Sequence, residues 1–296
     1  MRLKITADEF YDRRDDRTVR LSENRDYQSF HIRLTAGQNT ISTYTGQVAL
    51  ILAASMLVRW CRWVEFGFPD APLDSKLQVS GWKFLHQRII AETQQADPYG
   101  TFQFSIIRSE IVEYTLSIGN SIPEETADFF VSADDWTVYA SMSSSAMPNL
   151  GENKVPIGYM FAACVGVADA FKVATHQPPE TRVINAKISV LDFQNQPKLV
   201  YPPAPQIIDL GKVHLVGAGS VGSAIVYMLR MIPVRGKITI IDHDLIEIEN
   251  LNRSPLFGIS EIGEPKVIVV SKYLEGHIQT ESHLGKYDDF IHKNGR

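Results

Sequence analysis

The chain has 296 residues, 44% hydrophobic and 21% charged, as in an ordinary folded protein. Lysine and arginine number 29 against 34 acidic residues, and the net charge of −5 argues against a general nucleic-acid or anionic-membrane surface. Two cysteines, Cys61 and Cys164, exclude a disulfide scaffold and are both expected in the core. The first residues, MRLKITADEF, lack the apolar core of a signal peptide. The longest apolar stretch, Val48–Val58, is about half of a membrane span. A cytoplasmic protein of one large or two medium domains is therefore predicted.

Apolar strands and helices alternate along roughly the first 200 residues. This alternation is typical of an α/β fold with a mostly parallel sheet and helices on both faces. In chain order the predicted elements are strand Ser29–Leu34, helix Gly46–Trp60, strand Trp63–Phe68, helix Trp82–Thr93, strands Thr101–Ile107, Glu113–Ile118 and Asp128–Ser141, helix Pro156–Val173 and strand Arg182–Asp192.

A proline-rich connector divides the chain. The sequence PKLVYPPAPQIIDLG over 197–211 holds Pro202, Pro203 and Pro205, and proline fixes φ and removes a backbone donor. An apolar strand follows at once. We therefore place the domain boundary near residue 205, giving domains 1–204 and 205–296.

The strongest signal in the sequence is the loop GAGSVG at 217–222. Gly217 permits the tight turn, Gly219 lets phosphate oxygens approach the backbone, and Gly222 lets the next helix pack closely. The positive end of that helix then faces the anion. Asp242 ends the following strand at about the spacing at which an acid meets a ribose hydroxyl. The context that favours nucleotide binding over a bare glycine turn is strand Val213–Val216, helix Ser223–Met231 and strand Lys237–Ile241.

The residues behind this loop narrow the choice of nucleotide. DHDLIEIENLNR over 242–253 and GEPK over 263–266 contain acid-x-acid, Asn-Leu-x-Arg and Gly-x-Pro-Lys elements in that order. They resemble the adenylation domain of ubiquitin-activating-type enzymes, the ThiF/MoeB-like family, although Ser254 stands where that family usually has glutamine. The resemblance implies ATP and Mg²⁺ as cofactors. It also implies adenylation of the C-terminal glycine of a ubiquitin-like or sulfur-carrier protein.

The resemblance also implies roles for the motif residues. Arg253 and Lys266 would stabilise the phosphate charge that builds up when a carboxylate attacks the α-phosphate. Asn250 would be a polar partner near the phosphates, and Asp242 would hold the ribose. Asp244 would position Asn250 and Arg253 or a magnesium-bound water. No protein-built metal site is predicted, since the histidines lack HExxH-like spacing.

In the first domain, Gly46–Trp60 occupies the place of a glycine-loop helix and Trp63–Phe68 that of the following strand, and PIGYMFAACVGVADAFK over 156–172 resembles the late helix of the same family. This domain therefore resembles a degenerate, inactive copy of the adenylation fold. Such a pair occurs in eukaryotic activating enzymes and in some bacterial ubiquitin-like conjugation operons. The resemblance therefore implies a conjugating enzyme or a second copy of the chain, in a homodimer, as partner. Family members often begin with an aromatic-x-Arg element whose arginine enters the partner domain's ATP site. Arg13 in FYDRR matches it best and Arg14 is the second choice. A solvated cluster of charges is the alternative interpretation.

One doubly wound half is barely accommodated between Gly217 and Arg296. The second Rossmann-like unit is therefore expected to be truncated, with Tyr287–Ile291 as the start of its third strand. We expect part of a longer enzyme, incomplete for turnover because the family's magnesium-binding aspartate and any catalytic cysteine lie further on. Two alternatives stay open. One is an NAD-binding oxidoreductase, which has no use for Arg253 and Lys266; the other is a non-catalytic pseudo-activating scaffold that binds a ubiquitin-like protein.

Overall fold

The computed structural model describes residues 5–21, 26–78, 81–119, 126–148, 155–182, 185–196, 203 and 205–294. The chain forms two compact units, residues 19–204 and residues 1–18 together with 205–296. The first 18 residues thus group with the C-terminal unit, whereas the sequence division assigns them to 1–204. Within this unit the N-terminal helix contacts Glu249 through Arg13.

Eight helices and ten strands occur within the described ranges. The helices are α1 (Ala7–Leu21), α2 (Gln38–Ser42), α3 (Tyr44–Val58), α4 (Leu85–Ala96), α5 (Ile157–Ala174), α6 (Ser220–Met231), α7 (Lys266–Tyr273) and α8 (Tyr287–Asn294). The strands are β1 (His31–Ala36), β2 (Trp63–Gly67), β3 (Thr101–Phe104), β4 (Tyr114–Ile118), β5 (Phe129–Ala133), β6 (Thr137–Ser141), β7 (Ala186–Ser189), β8 (Ile208–Val216), β9 (Val234–Asp242) and β10 (Gln279–Leu284).

The unit of residues 19–204 is built on a seven-stranded sheet in the order β3-β2-β1-β4-β5-β6-β7. Strands β1 to β5 are parallel, and β6 and β7 run antiparallel to their neighbours. The parallel part repeats the 3-2-1-4-5 order of doubly wound folds. Strands β4 and β5 are buried at every position and therefore on both faces, as is typical of parallel strands inside an α/β fold. The predicted α/β, Rossmann-like class is confirmed.

The C-terminal unit has a three-stranded parallel sheet in the order β10-β9-β8, the same 3-2-1 order. The prediction of a third strand at Tyr287–Ile291 is wrong, because this segment lies in α8. Asp288 and Asp289 occupy the first turn of that helix, where its dipole favours acids. The third strand is β10, whose sequence QTESHL has no apolar alternation to reveal it.

The segment Asp128–Ser141 is also not the single strand predicted. It forms a hairpin of β5 and β6, because the Asp134 carboxylate accepts hydrogen bonds from the backbone N–H groups of Trp136 (3.0 Å) and Thr137 (2.6 Å). Such an aspartate-centred turn reverses the chain.

A buried ion pair lies between β1 and β2. The Arg33 guanidinium bonds to the Glu65 carboxylate, and both side chains are completely buried. Arg33 also donates to the carbonyls of Ser105 and Ile106, each at 2.9 Å, and Ser109 donates its hydroxyl to Glu65. Strand β3 ends at Phe104, sooner than the predicted Ile107, and the carbonyls of the next two residues accept from this side chain.

Helix α5 is long and apolar enough, by length and composition alone, to cross a membrane. In this fold it packs against β4, β5 and β6 as a core helix. Its buried Asp169 accepts hydrogen bonds from the Tyr114 hydroxyl (2.6 Å) and from Arg182 Nη2 (2.7 Å). Cys164 of this helix is exposed, contrary to expectation, while Cys61 is buried as predicted.

Candidate nucleotide-binding site

The glycine loop joins β8 to α6 with a tight turn. Gly217 has φ +92°, a conformation that favours glycine, and its N–H donates to the Ile241 carbonyl at 2.8 Å. A Cβ at Gly222 would lie 2.0 Å from the Gly217 carbonyl oxygen, so α6 packs directly on the turn. A Cβ at Gly219 would meet nothing within 4 Å. The first amides of α6 have no partner within the helix and suit an anion in front of Gly219.

Asp242 connects the glycine loop to the end of β9. Its carboxylate accepts the backbone N–H groups of Ala218 (2.6 Å) and Asp244 (2.8 Å), and the residue is only 8% exposed. Its carbonyl accepts the N–H of Gly285, just after β10, at 3.1 Å. The ends of all three strands therefore meet at Asp242. A ribose hydroxyl would have to share a carboxylate oxygen that already accepts a backbone amide, which the four lone-pair sites of a carboxylate permit.

Backbone hydrogen bonds connect the segment that holds Pro265 and Lys266 to the segment that begins with Asp242 and Asp244. Ile246 donates to the Glu264 carbonyl (2.9 Å) and Lys266 to the Asp244 carbonyl (3.0 Å). This register brings Lys266 Nζ to 2.8 Å from Asp244 Oδ2. The hydrogen bond lowers the pKa of Asp244 despite its partial burial. Asp244 thus pairs with Lys266, whereas the sequence suggested Asn250 and Arg253 as its neighbours.

Asn250 and Arg253 lie on the turn that follows β9. Asn250 Oδ1 accepts the Glu247 backbone N–H at 3.0 Å and so closes a helical turn. Arg253 Nη1 donates to the Glu249 carbonyl and to Asn252 Oδ1 (2.9 Å). Both of these acceptors are uncharged oxygens, so these two hydrogen bonds do not neutralise the guanidinium.

The N-terminal helix α1 reaches this same turn. Thr6 and Glu9 form a reciprocal capping box, Thr6 N to Glu9 Oε2 at 2.9 Å and Glu9 N to Thr6 Oγ1 at 3.2 Å, which starts the helix. Arg13 then donates to both carboxylate oxygens of Glu249, at 2.8 and 3.3 Å. Partial burial acts to raise the pKa of Glu249, but the hydrogen bond with Arg13 and the charges of Arg13 and Arg253 lower it overall. Glu249 was not among the predicted site residues.

Arg14, the second choice for the reaching arginine, cannot take that role. Its side chain is completely buried, its Nε lies 2.7 Å from Asp15 Oδ1, and its guanidinium stacks over Phe10 and Tyr11. The interpretation of this segment as a solvated charge cluster is wrong for Arg14 and Asp15, which are core residues of α1.

The donor set at the end of β9 does not by itself suit Mg²⁺. Asp242, His243 and Asp244 can bring one ligand atom each to within 4.8 Å of one another. Mg²⁺ prefers an octahedron of oxygens, yet Asp242 binds backbone amides, Asp244 Oδ2 binds Lys266, and His243 offers nitrogen. As they stand, these three residues do not fit a protein-bound Mg²⁺.

The fold and the motifs at this strand edge define a Rossmann-like unit of the nucleotide-binding type. Residues 193–294 match the ThiF family, so this part of the chain carries a ThiF family domain. The domain includes each predicted site residue except Arg13, which comes from α1.

Several known proteins are similar to parts of the chain. An uncharacterized protein, y4jF of Sinorhizobium fredii, is 27% identical over 171 residues, 56% of this chain and 33% of that protein. The NEDD8-activating enzyme E1 catalytic subunit of Saccharomyces cerevisiae is 40% identical over 63 residues, 21% of each chain. The sulfur carrier protein adenylyltransferase of Thermus thermophilus is 32% identical over 76 residues, 26% of this chain and 28% of that protein.

Among solved structures, that of E. coli MccB with ATP is 28% identical over 29% of this chain and 27% of that chain, with a TM-score of 0.26. The chain spans a third or less of the length of each of these relatives.

Proposed function

We propose that the C-terminal unit binds ATP at the carboxyl edge of β8, β9 and β10, and that the protein takes part in adenylating the C-terminus of a ubiquitin-like or sulfur-carrier protein. The observation that carries this proposal is the convergence at Asp242 and Asp244. Contacts of these two residues join the glycine loop to the start of α7 within a ThiF family domain.

In the proposed adenylation, the protein forms no covalent bond to the substrates. Its main contribution is positive charge placed near the phosphates. A carboxylate oxygen of the carrier attacks the α-phosphorus, the bond from that phosphorus to the bridging oxygen breaks, and pyrophosphate leaves. Negative charge builds on the phosphate oxygens, where a positioned cation stabilises the transition state. Lys266 is held in place by Asp244, and Arg253 by the Glu249 carbonyl. Mg²⁺ is expected to arrive with the phosphates, and ATP titrations with and without the ion test that expectation.

We also propose that residues 19–204 are an inactive copy of the adenylation fold. Both sheets share the 3-2-1 strand order. Gly46 of α3 repeats the close contact of Gly222, since a Cβ there would lie 2.1 Å from the Thr40 carbonyl oxygen. In place of a glycine loop this unit has α2, whose Thr40 hydroxyl bonds to the Ile118 carbonyl at 3.1 Å. A conjugating enzyme or a second copy of the chain as partner is a further expectation of this two-copy arrangement.

The full chain is expected to bind ATP in preference to NAD. Arg253 and Lys266 would both contact the negative charges of a triphosphate. An enzyme that transfers a hydride does not require this pair of cations. Calorimetric titration of the same preparation with ATP and with NAD measures the preference. Binding of NAD without a signal for ATP would refute the adenylation proposal and support the oxidoreductase alternative.

Arg253→Ala and Lys266→Ala are each expected to weaken ATP binding by about one to two decades. A charge-assisted hydrogen bond contributes roughly 1.5–3 kcal/mol, and each 1.4 kcal/mol is about tenfold in Kd. The matched control is Arg235→Ala, an exposed arginine at the opposite end of β9 that pairs with Asp209. Lys286 is a poorer control because Gly285 places it at the same edge as the site. Equal affinity in all of these variants would make Arg253 and Lys266 ordinary surface charges.

A further inference from the structure

The connection between β3 and β4 carries a cluster of exposed isoleucines. Ile106, Ile107 and Ile111 are 60%, 82% and 54% exposed. Single apolar side chains are common on protein surfaces, but several of them side by side are typical of an interaction site. We call residues 106–111 the isoleucine loop.

A buried ion pair fixes the shape of this loop. Arg33 donates to the carbonyls of Ser105 and Ile106, each at 2.9 Å. The Glu65 carboxylate accepts the hydroxyl of Ser109 and also its backbone N–H, the latter at 3.3 Å. Because the loop is held at two points from below, its exposed side chains need little further ordering when they meet a partner.

The sequence of the loop is symmetric about Ser109. On either side of Ser109 stand Arg108 and Glu110, which are opposite in charge, and beyond them stand Ile107 and Ile111. Both charged side chains are exposed, and Arg108 donates to a backbone carbonyl at 3.0 Å. Among the residues that the structure describes, neither Arg108 nor Glu110 has an ion-pair partner. The loop therefore presents an acid, a base and apolar groups that complement the same loop in reverse order.

We propose that the isoleucine loop is a contact between two copies of this chain. In a two-fold symmetric contact, residue i of one copy meets residue j of the other, and j meets i. A two-fold axis at Ser109 places Arg108 against Glu110 of the second copy and Ile107 against Ile111, each of them twice. The isoleucines are then removed from water, and both unpaired charges gain partners. This contact uses no residue of the proposed nucleotide site and forms whether or not ATP binds.

The small size of the loop sets the expected strength of the contact. Interfaces that bury less than about 1,200 Å² in total are usually weak or transient. We therefore expect a dimer with a Kd of roughly micromolar order, which sedimentation velocity over a concentration series of the full chain measures.

Charge reversal tests the pairing of Arg108 with Glu110. Arg108→Glu and Glu110→Arg each place like charges opposite one another, so each variant alone should dimerise at least about tenfold more weakly than wild type. An equal mixture of the two variants restores both ion pairs in a heterodimer, and the double variant restores them in a homodimer. Both should return to within about threefold of the wild-type Kd.

Two further variants complete the experiment. Ile107→Asp puts a charge among the isoleucines at a position that is 82% exposed, so it should fold normally and stay monomeric. Glu180→Arg reverses an exposed glutamate of the same unit and should dimerise like wild type.

Three results would overturn the proposal. The first is a wild type that stays monomeric across the series. The second is wild-type affinity in both Arg108→Glu and Glu110→Arg, because the contact would then lie elsewhere. The third is a pair of monomeric single variants whose mixture forms no heterodimer, because that result indicates damage to the loop rather than the loss of a charge pair.

Discussion

Glu65→Ala is expected to lower the free energy of unfolding by about 3–5 kcal/mol, the range measured when one partner of a buried ion pair is removed. The Arg33 side chain is completely buried, and in the variant its charge would lose the Glu65 carboxylate while the neutral carbonyls of Ser105 and Ile106 stay as acceptors. Ser109 would also lose its acceptor. Urea unfolding of wild type and variant, followed by circular dichroism, measures the difference.

Two variants serve as controls for this experiment. Arg33→Met combined with Glu65→Leu removes both charges, so it should be much more stable than Glu65→Ala. Arg235→Ala breaks an exposed ion pair, with side chains 69% and 53% exposed, and should cost less than about 1 kcal/mol. A loss below about 1 kcal/mol for Glu65→Ala would show that water or another group reaches the Arg33 charge.

Helices and strands with mainly apolar sequences could be predicted from the sequence. Elements with mainly polar sequences could not, because their side chains give no hydrophobic pattern. Helix α3 and strand β2 lie within two residues of their predicted bounds because both are mainly apolar. Strand β10 is polar on both faces, so periodicity did not reveal it. The capping box of Thr6 and Glu9 was readable in the sequence as Thr-x-x-Glu and would have predicted α1.

The site could be predicted only as far as local motifs reach. The glycine loop and the Pro-Lys helix start follow fixed spacings, and the structure places both at one strand edge. The contact of Arg13 with Glu249 joins residues 236 positions apart, and no pattern within either segment indicates its partner. The pairing of Arg33 with Glu65 was not predictable either. Each charge lies in a separate strand, and only the register of β1 with β2 shows that the two residues are neighbours.

Gly222→Ala is expected to weaken ATP binding by about one to two decades, because the added methyl group would lie 2.0 Å from the Gly217 carbonyl oxygen. That oxygen belongs to the backbone of the glycine loop, so relief requires the loop or the start of α6 to move. Overpacking of this kind costs about 1–3 kcal/mol. Calorimetric titration with ATP measures the binding, and thermal unfolding measures the stability.

Two further glycine variants separate ligand contact from packing. Gly219→Ala meets no atom within 4 Å and needs no unusual φ, so the unliganded protein should be as stable as wild type. If phosphate oxygens approach the backbone there, the methyl group stands in their way and ATP affinity should fall by about tenfold or more.

Gly46→Ala reproduces the clash of Gly222→Ala in the other unit, against the Thr40 carbonyl oxygen. It should destabilise the fold without changing ATP affinity, because the proposed copy in 19–204 binds no nucleotide. Unchanged ATP binding in Gly219→Ala would mean that the nucleotide does not lie over the glycine loop, and the site would have to be sought elsewhere in the unit.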